Sequence, residues 1–270
     1  MRKNNLLILM LAIIVSLLTL TGCKEDENTI VVGATSAPHA EILEAAKPLL
    51  EEKGYKLKIE VFEDYTLLNP ALASDDLDAN YFQHIPYLNS YNEKRKTNLV
   101  SVAKIHYEPF GLYGKGISDL NNVPAETTIF IPNDDSNLTR ALLLLAQEDL
   151  IEIDSNKNAN TGVDVTDITD DKGYNIVPVA ADLVPAQYKN NNNILAVING
   201  NYAIASNISV STALAVEDAD GDAAMTYGNV IAVNKGNENN PKILALIEVL
   251  NSQTIKDYIT NTYNGAVLPL

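Results

Sequence analysis

The chain has 270 residues, 46% of them hydrophobic, with 19 Lys and Arg against 35 Asp and Glu and a formal net charge of −16. That apolar content excludes a disordered chain, 13 Gly and 11 Pro exclude a collagen-like one, and the acidic balance makes nucleic acid a poor partner. A single Cys excludes an internal disulfide framework and a multi-Cys zinc site, while the length allows two lobes with sizeable cores.

Residues 1–5 read MRKNN, and residues 6–20, LLILMLAIIVSLLTL, hold only Ser16 and Thr19 as polar residues. A spanning helix needs roughly 20 apolar residues, so this run is short for a permanent span and suits a signal-peptide core. It ends in Leu20-Thr21-Gly22-Cys23, which resembles the bacterial lipobox. In such signals the peptidase cuts before the Cys, whose thiol carries a diacylglycerol; the alternative is an ordinary secretory signal with an incidental Cys. The expectation is a signal peptide at 1–22, lipidation of Cys23, a short tether at 23–28 and an extracytoplasmic, lipid-anchored protein of a bacterial cell envelope.

In the mature chain, TIVVGAT at 29–35 is a β-branched run ending in Gly and Thr, a buried-strand signal. Residues 39–53 carry Ile42, Leu43, Ala46, Leu49 and Leu50 at helical spacing, with Pro48 expected to kink the helix and Gly54 to end it. KLKIEVF at 56–62 alternates as a strand should, which makes a βαβ unit and a parallel sheet. Residues 75–80 are expected to lead into a second helix through Asn80 to His84, and 99–113 to return to strand. Thr128–Ile131 reads as a strand and 138–147 as a helix capped by Ser136 or Asp135. Residues 154–175 are polar and loop-rich. Strands follow at 176–180, 194–198 and 229–233, with a weak helix in VPAQYKNNNN and helices at 242–253 and 254–263. There is no short-period repeat. The pattern is α/β with two lobes, the last helices folding back on the first: 29–113 plus 230–270, and 114–229.

No Gly-x-Ser-x-Gly elbow, Walker loop, Gly-x-Gly-x-x-Gly or His-Glu-x-x-His motif is present, so nothing nominates an enzyme or a cofactor. His39, His84 and His106 raise a metal reading, against which they are hydrogen-bonding groups without a local paired spacing. Asp154-Ser155-Asn156-Lys157-Asn158 and Asp218-Ala219-Asp220-Gly221-Asp222 hint at calcium but lack the bidentate acid, and Ala159 replaces the turn Gly in the first. A third set comprises Tyr65, Phe82, Tyr107, Phe110 and Tyr113, with Arg140 in the first turn of a helix and Asn199 and Asn229 at strand ends. A guanidinium beside a helix N-terminus can grip a carboxylate, and an Asn can both accept from an ammonium and donate to a carboxylate. Pairing of Arg140 with a nearby acid and turn-capping by the Asn residues explain the same pattern, and spacing leaves both readings open.

The blocks VGATSAPHAEILEAAKPLLEEKGY, DANYFQHIPYL, HYEPFGLYGK, IPNDDSNLTRALLLL, AVINGNYA, GNVIAV and YNGAVLP, with the lipobox, resemble the methionine-binding lipoprotein (MetQ/NlpA) family of ABC-transporter substrate-binding proteins. They run in family order over most of residues 29–270. The resemblance implies a periplasmic-binding-protein type II fold, two α/β lobes joined by crossover strands with a ligand cleft between them, and no catalytic activity. It implies methionine or a related small amino-acid ligand, including methionine-containing dipeptides, with an ABC permease and its ATPase as partners. By the same resemblance Arg140 takes the ligand carboxylate, and Asn199 and Asn229 hold the α-amino and carboxylate groups. Tyr65, Phe82 and His84 wall the thioether pocket, which His106 and Tyr107 complete. The chain departs from the family at Leu183-Val184-Pro185-Ala186-Gln187, where Leu-Pro-Arg is usual, at Gly228 for Val, and at Asp149 for a helix-ending Gly. The competing reading is a metal-binding surface lipoprotein using His39, His84 and His106.

Overall fold

The computed structural model describes residues 28–217 and 222–270. The expected signal segment and Cys23 lie outside the described residues, as do residues 218–221 of the acidic run considered for calcium. The first unit is the expected parallel one. β1 (Thr29–Ala34) leads through a π-helical turn at Ser36–Ala40 into α1 (Glu41–Glu52), and β2 (Lys56–Val61) returns parallel to β1. Pro48 lies inside α1 without breaking it. The helix packs Ile42, Leu43, Ala46 and Leu50 against the sheet, and this burial outweighs the hydrogen bond that Pro48 cannot make.

Two expectations fail in the next stretch. A helix not anticipated from the sequence, α2 (Tyr65–Ala73), starts at Asp64, whose side chain accepts from the Thr66 N–H at 2.8 Å. Residues 79–84, expected to begin a helix, instead form β3 (Ala79–His84), and the helix α3 (Ile85–Arg95) starts only after it. All six β3 residues are buried, so Asn80-Tyr81-Phe82-Gln83-His84 satisfies a strand enclosed on both faces, and Pro86 in the first turn of α3 sets the restart.

The run 99–113 is not one strand. It divides into β4 (Leu99–Tyr107) and β5 (Gly111–Lys115), which belong to different sheets, so the chain leaves the first sheet at Glu108-Pro109-Phe110. Residues 111–113, expected with the first lobe, therefore pair in the second sheet. That sheet continues with β6 (Thr128–Pro132), the helix α4 (Asp135–Gln147), the small pair β7 (Glu152–Ile153) and β8 (Ile168–Asp170), and β9 (Asn175–Val179). The cap of α4 is Asp134 rather than Ser136 or Asp135. After α5 (Val184–Asn190) come β10 (Ile194–Ile198), the one-turn α6 (Gly200–Ala205) and β11 (Ala215–Val216). The short α7 (Asp222–Tyr227) precedes the return to the first sheet in β12 (Asn229–Asn234), after which α8 (Pro241–Leu250), α9 (Gln253–Tyr263) and β13 (Leu268–Pro269) close the chain.

The strand order of the first sheet is β13-β4-β12-β3-β1-β2 and of the second β11-β5-β10-β6-β9. α1, α8 and α9 cover the first sheet, and α4 packs Leu138, Ala141, Leu142 and Leu145 on the second. A third cluster joins the two: Tyr65, Leu68 and Phe82 from the first side meet Tyr113, Ala196, Ile198 and Tyr202 from the second. Two crossings, 108–110 outward and the approach to Asn229 inward, lie side by side, since Asn229 faces His106 across β12 and β4. Among the described residues no helix is long and apolar enough to cross a membrane.

Candidate functional site

Strand ends and helix starts of the two sheets converge on a small, largely enclosed cavity. It is lined by Tyr65, Phe82, Gln83, His84, Tyr87, Glu108, Asn137, Arg140, Asn199, Gly200, Asn201 and Asn229. Six of the eight sequence-predicted ligand residues meet here: Tyr65, Phe82, His84, Arg140, Asn199 and Asn229. His106 and Tyr107 do not line the cavity and stand behind charged groups instead.

His106 supports Glu108. Its Nε2–H donates to Glu108 Oε1 at 2.7 Å, and its Nδ1 accepts from the Tyr81 hydroxyl. The Glu108 carboxylate is buried and also accepts from the Asn201 backbone N–H. Burial pushes its pKa up, against the opposing pull of His39 and Arg140. Burial also lowers the His106 pKa to about 3 and that of His39 to about 4, so both rings are neutral at pH 7. His39 bridges Thr35, at 2.7 Å from Nδ1, and the side-chain oxygen of Asn229, at 3.0 Å from Nε2. With that oxygen engaged by His39, Asn229 has its NH₂ group to offer a ligand.

Tyr107 supports Arg140. Its hydroxyl donates to Glu217 Oε2 at 2.6 Å, and its ring lies 5.7 Å from the guanidinium. Arg140 Nε donates to both Glu217 oxygens at 2.8 Å, and Nη2 donates to Glu217 and to the Glu108 carbonyl oxygen. The rings of Phe110 and Tyr227 each lie 4.6 Å from the guanidinium carbon. Burial alone would depress the Arg140 pKa, but the charge of Glu217 reverses this and raises it, so the cation is permanent.

The two readings left open for Arg140 thus both hold in part: it lines the cavity, and it is paired with an acid. The asparagines carry the remaining polarity. Asn199 Nδ2 donates to Asn137 Oδ1 at 3.0 Å, while Asn199 Oδ1 is buried and has no hydrogen-bond partner among the described residues. Asn201 is the reverse: its Oδ1 accepts from the Tyr65 hydroxyl, and its buried Nδ2 has no partner among the described residues. An unmet acceptor and an unmet donor, each costing about 1–3 kcal/mol when left so, therefore line a cavity that also holds a fixed cation and a buried carboxylate. The aromatic wall is Tyr65, Phe82 and Tyr87, with ring centroids 5.5–5.9 Å apart.

The three-histidine metal set does not assemble. His39, His106 and Glu108 bring ligand atoms within 4.8 Å of one another, but His84 is not among them. His84 points the other way, its Nε2 at 3.3 Å from Asn137 Oδ1. Six lining residues were missed: Gln83, Tyr87, Glu108, Asn137, Gly200 and Asn201. Glu108 carried the clearest signal, an acid set between Ile105-His106-Tyr107 and Pro109-Phe110 where the flanking pattern is apolar.

A family model described as NlpA lipoprotein matches residues 30–270. The chain belongs to the NlpA lipoprotein family. Among the relatives of this NlpA-family chain, the methionine-binding lipoprotein MetQ of Bacillus subtilis is 42% identical over 252 residues, covering 92% of this chain and 90% of that protein. The D-methionine-binding lipoprotein MetQ of Salmonella typhi is 32% identical, with 93% of each chain covered. A nutrient-binding protein from Burkholderia cenocepacia, solved bound to methionine, superposes with a TM-score of 0.83 at 32% identity over 89% of this chain and 99% of that one. The NlpA-family chain accordingly has the two-lobed type II binding-protein fold.

Two of the family's departures in this chain, at Gly228 and Asp149, have local accounts. A Cβ on Gly228 would lie 2.5 Å from Lys104 Cδ and 2.6 Å from Leu270 Cδ1, so the usual Val would require both side chains to shift. Asp149 takes the left-handed conformation, φ 55°, that the usual Gly would adopt after α4.

Proposed function

We propose that this lipoprotein is the substrate-binding component of an ABC importer, holding methionine or a methionine-containing dipeptide between its two lobes. The reading rests on the polarity of the cavity. Asn199 Oδ1 and Glu108 suit an ammonium group, Asn229 and Arg140 suit a carboxylate, and the Tyr65, Phe82 and Tyr87 rings suit an apolar side chain. Sulfur against aromatic rings contributes about 0.3–1.5 kcal/mol beyond simple burial. The names of the relatives support the same ligand class. In this reading the protein is a carrier rather than an enzyme. Cys23 anchors it outside the cytoplasm, and a membrane permease with its ATPase receives the ligand.

The test is a thermal-shift screen of the purified protein, unfolded and refolded to strip co-purified ligand, with L-methionine, D-methionine, Gly-Met and the other amino acids. Ligand at a hundred times Kd adds about 2.7 kcal/mol, a rise of roughly 5–10 °C for a protein of this size. A selective rise with methionine supports the proposal, a rise with another amino acid changes the ligand, and no rise with any overturns it. Anchoring is tested separately by Cys23→Ser, which should move the protein from the membrane to the soluble fraction.

A further inference from the structure

Asp134 does not line the cavity, yet its side chain is tied to one residue that does. As the cap of α4 it accepts from the Asn137 backbone N–H at 3.0 Å and from Asn137 Nδ2 at 3.1 and 2.9 Å, with Ser136 Oγ at 3.0 Å. A carboxylate can only accept, so Asn137 must turn its NH₂ end toward Asp134 and its oxygen away. On the other side stand two donors, Asn199 Nδ2 at 3.0 Å and His84 Nε2 at 3.3 Å. The His84 tautomer is fixed because Nδ1 accepts from the Tyr87 N–H at 3.2 Å, which leaves the proton on Nε2. Asn137 is therefore held in one orientation from both ends. Asn199, which must then present its NH₂ to Asn137, is left with its oxygen as the atom to be satisfied.

We propose that Asp134, acting through Asn137, is the positioning residue that fixes the Asn199 amide with its oxygen available to the ligand, and so makes this position selective for a hydrogen-bond donor such as an amino group. The inference rests on the amino-acid-binding reading above. An ammonium has only protons to offer, whereas a hydroxyl can donate or accept. Reversing the amide therefore penalises the ammonium and spares the hydroxyl.

The experiment compares L-methionine with its 2-hydroxy analogue, 2-hydroxy-4-(methylthio)butanoate, by calorimetry on the purified protein and on Asp134→Asn. Asn can still cap α4 with its oxygen in the Oδ1 place, but its NH₂ then falls where Oδ2 sits, 2.9 Å from Asn137 Nδ2, so two donors face each other and the hold on Asn137 is weakened. The expected result is an unchanged thermal midpoint, with the preference for methionine over the hydroxy analogue falling at least about tenfold and the affinity for the analogue nearly retained. An unchanged preference, or equal weakening of both ligands, overturns the proposal. A second readout is independent of the ligand: the Asn199 side-chain NH₂ resonance, assigned by its loss in Asn199→Asp. It should be protected from hydrogen exchange in the parent protein and lose protection in Asp134→Asn. An unprotected NH₂ in the parent overturns the orientation argument. Protected NH₂ in a protein that binds neither ligand overturns only the amino-acid reading.

Discussion

Gly200 lies against Glu108 so closely that a Cβ there would sit 2.8 Å from the Glu108 Cβ and 2.9 Å from Oε2. The contact brings the start of α6, on the second sheet, against the outward crossing from the first. The backbone N–H of Asn201 donates to the same carboxylate. Gly200→Ala should therefore push the two apart and weaken ligand binding, with an overpacking cost to stability of about 1–3 kcal/mol. Titration calorimetry reads this directly, and full affinity in Gly200→Ala would show that α6 can shift without loss.

Arg140 has a structural task as well as its place in the cavity wall. Removing it leaves the partly buried Glu217 carboxylate with only the Tyr107 hydroxyl as partner, a change that costs less than the roughly 3–5 kcal/mol typical of a fully buried pair. Arg140→Ala should thus lower the ligand-free denaturation midpoint as well as the affinity. The double variant Arg140→Ala with Glu217→Ala should recover part of the stability and none of the affinity. Equal stability of the two variants in urea titrations would contradict the pairing.

Acid should unfold the protein ahead of general carboxylate titration. His39, His84 and His106 are neutral when folded, with pKa values lowered by burial to about 4, 3 and 3, and in His84 by the charge of Arg140 as well. Unfolded, each ring binds a proton near pH 6.5, so the unfolded state holds more protons below that pH. Stability is complete above about 6.5 and falls by about 1.4 kcal/mol per pH unit for each ring as the pH drops toward 4. Glu108 and Asp134, both pushed up by burial, act with the opposite sign, since their folded forms hold protons longer. Denaturation midpoints between pH 7 and 5 in the parent and in His106→Asn should show the shallower slope in the variant.

Asp149 marks a place where the chain can be improved. A non-glycine residue at φ 55° costs about 1–2 kcal/mol, somewhat less for Asp, and the position follows the end of α4. Asp149→Gly should stabilise the protein by about 0.5–1 kcal/mol without changing ligand affinity, as seen in paired thermal and calorimetric measurements.

Much of this architecture is legible in the residue order, and its failures are local. β-branched alternation identifies Lys56–Val61, and helical spacing identifies Glu41–Glu52, because each presents one face to a core. Ala79–His84 defeats periodicity because it is buried on both faces, so no alternation remains to distinguish a strand from a helix. The break between β4 and β5 is invisible for a related reason: apolar and aromatic residues flank Pro109 on both sides, and only tertiary pairing reveals that they serve different sheets. Arg140, Asn199 and Asn229 could be singled out by residue type and position beside strand or helix ends. Asn137 and Asn201 could not, since their importance depends on which end of an amide each neighbour leaves unmet, a property of the assembled network. His106 and Tyr107, placed in the pocket by the family resemblance, do not line the cavity, and their side chains hold Glu108 and Glu217 instead.

The placement of β12 between β3 and β4 sets an order of assembly. The second sheet draws its strands from one uninterrupted stretch, 111–216, whereas the first cannot join β3 to β4 until residues 229–234 are available. The part of the chain synthesised first is therefore completed last, and the second sheet can form while the first is still in two pieces. A chain built this way completes its first sheet only when residues 229–234 have left the ribosome.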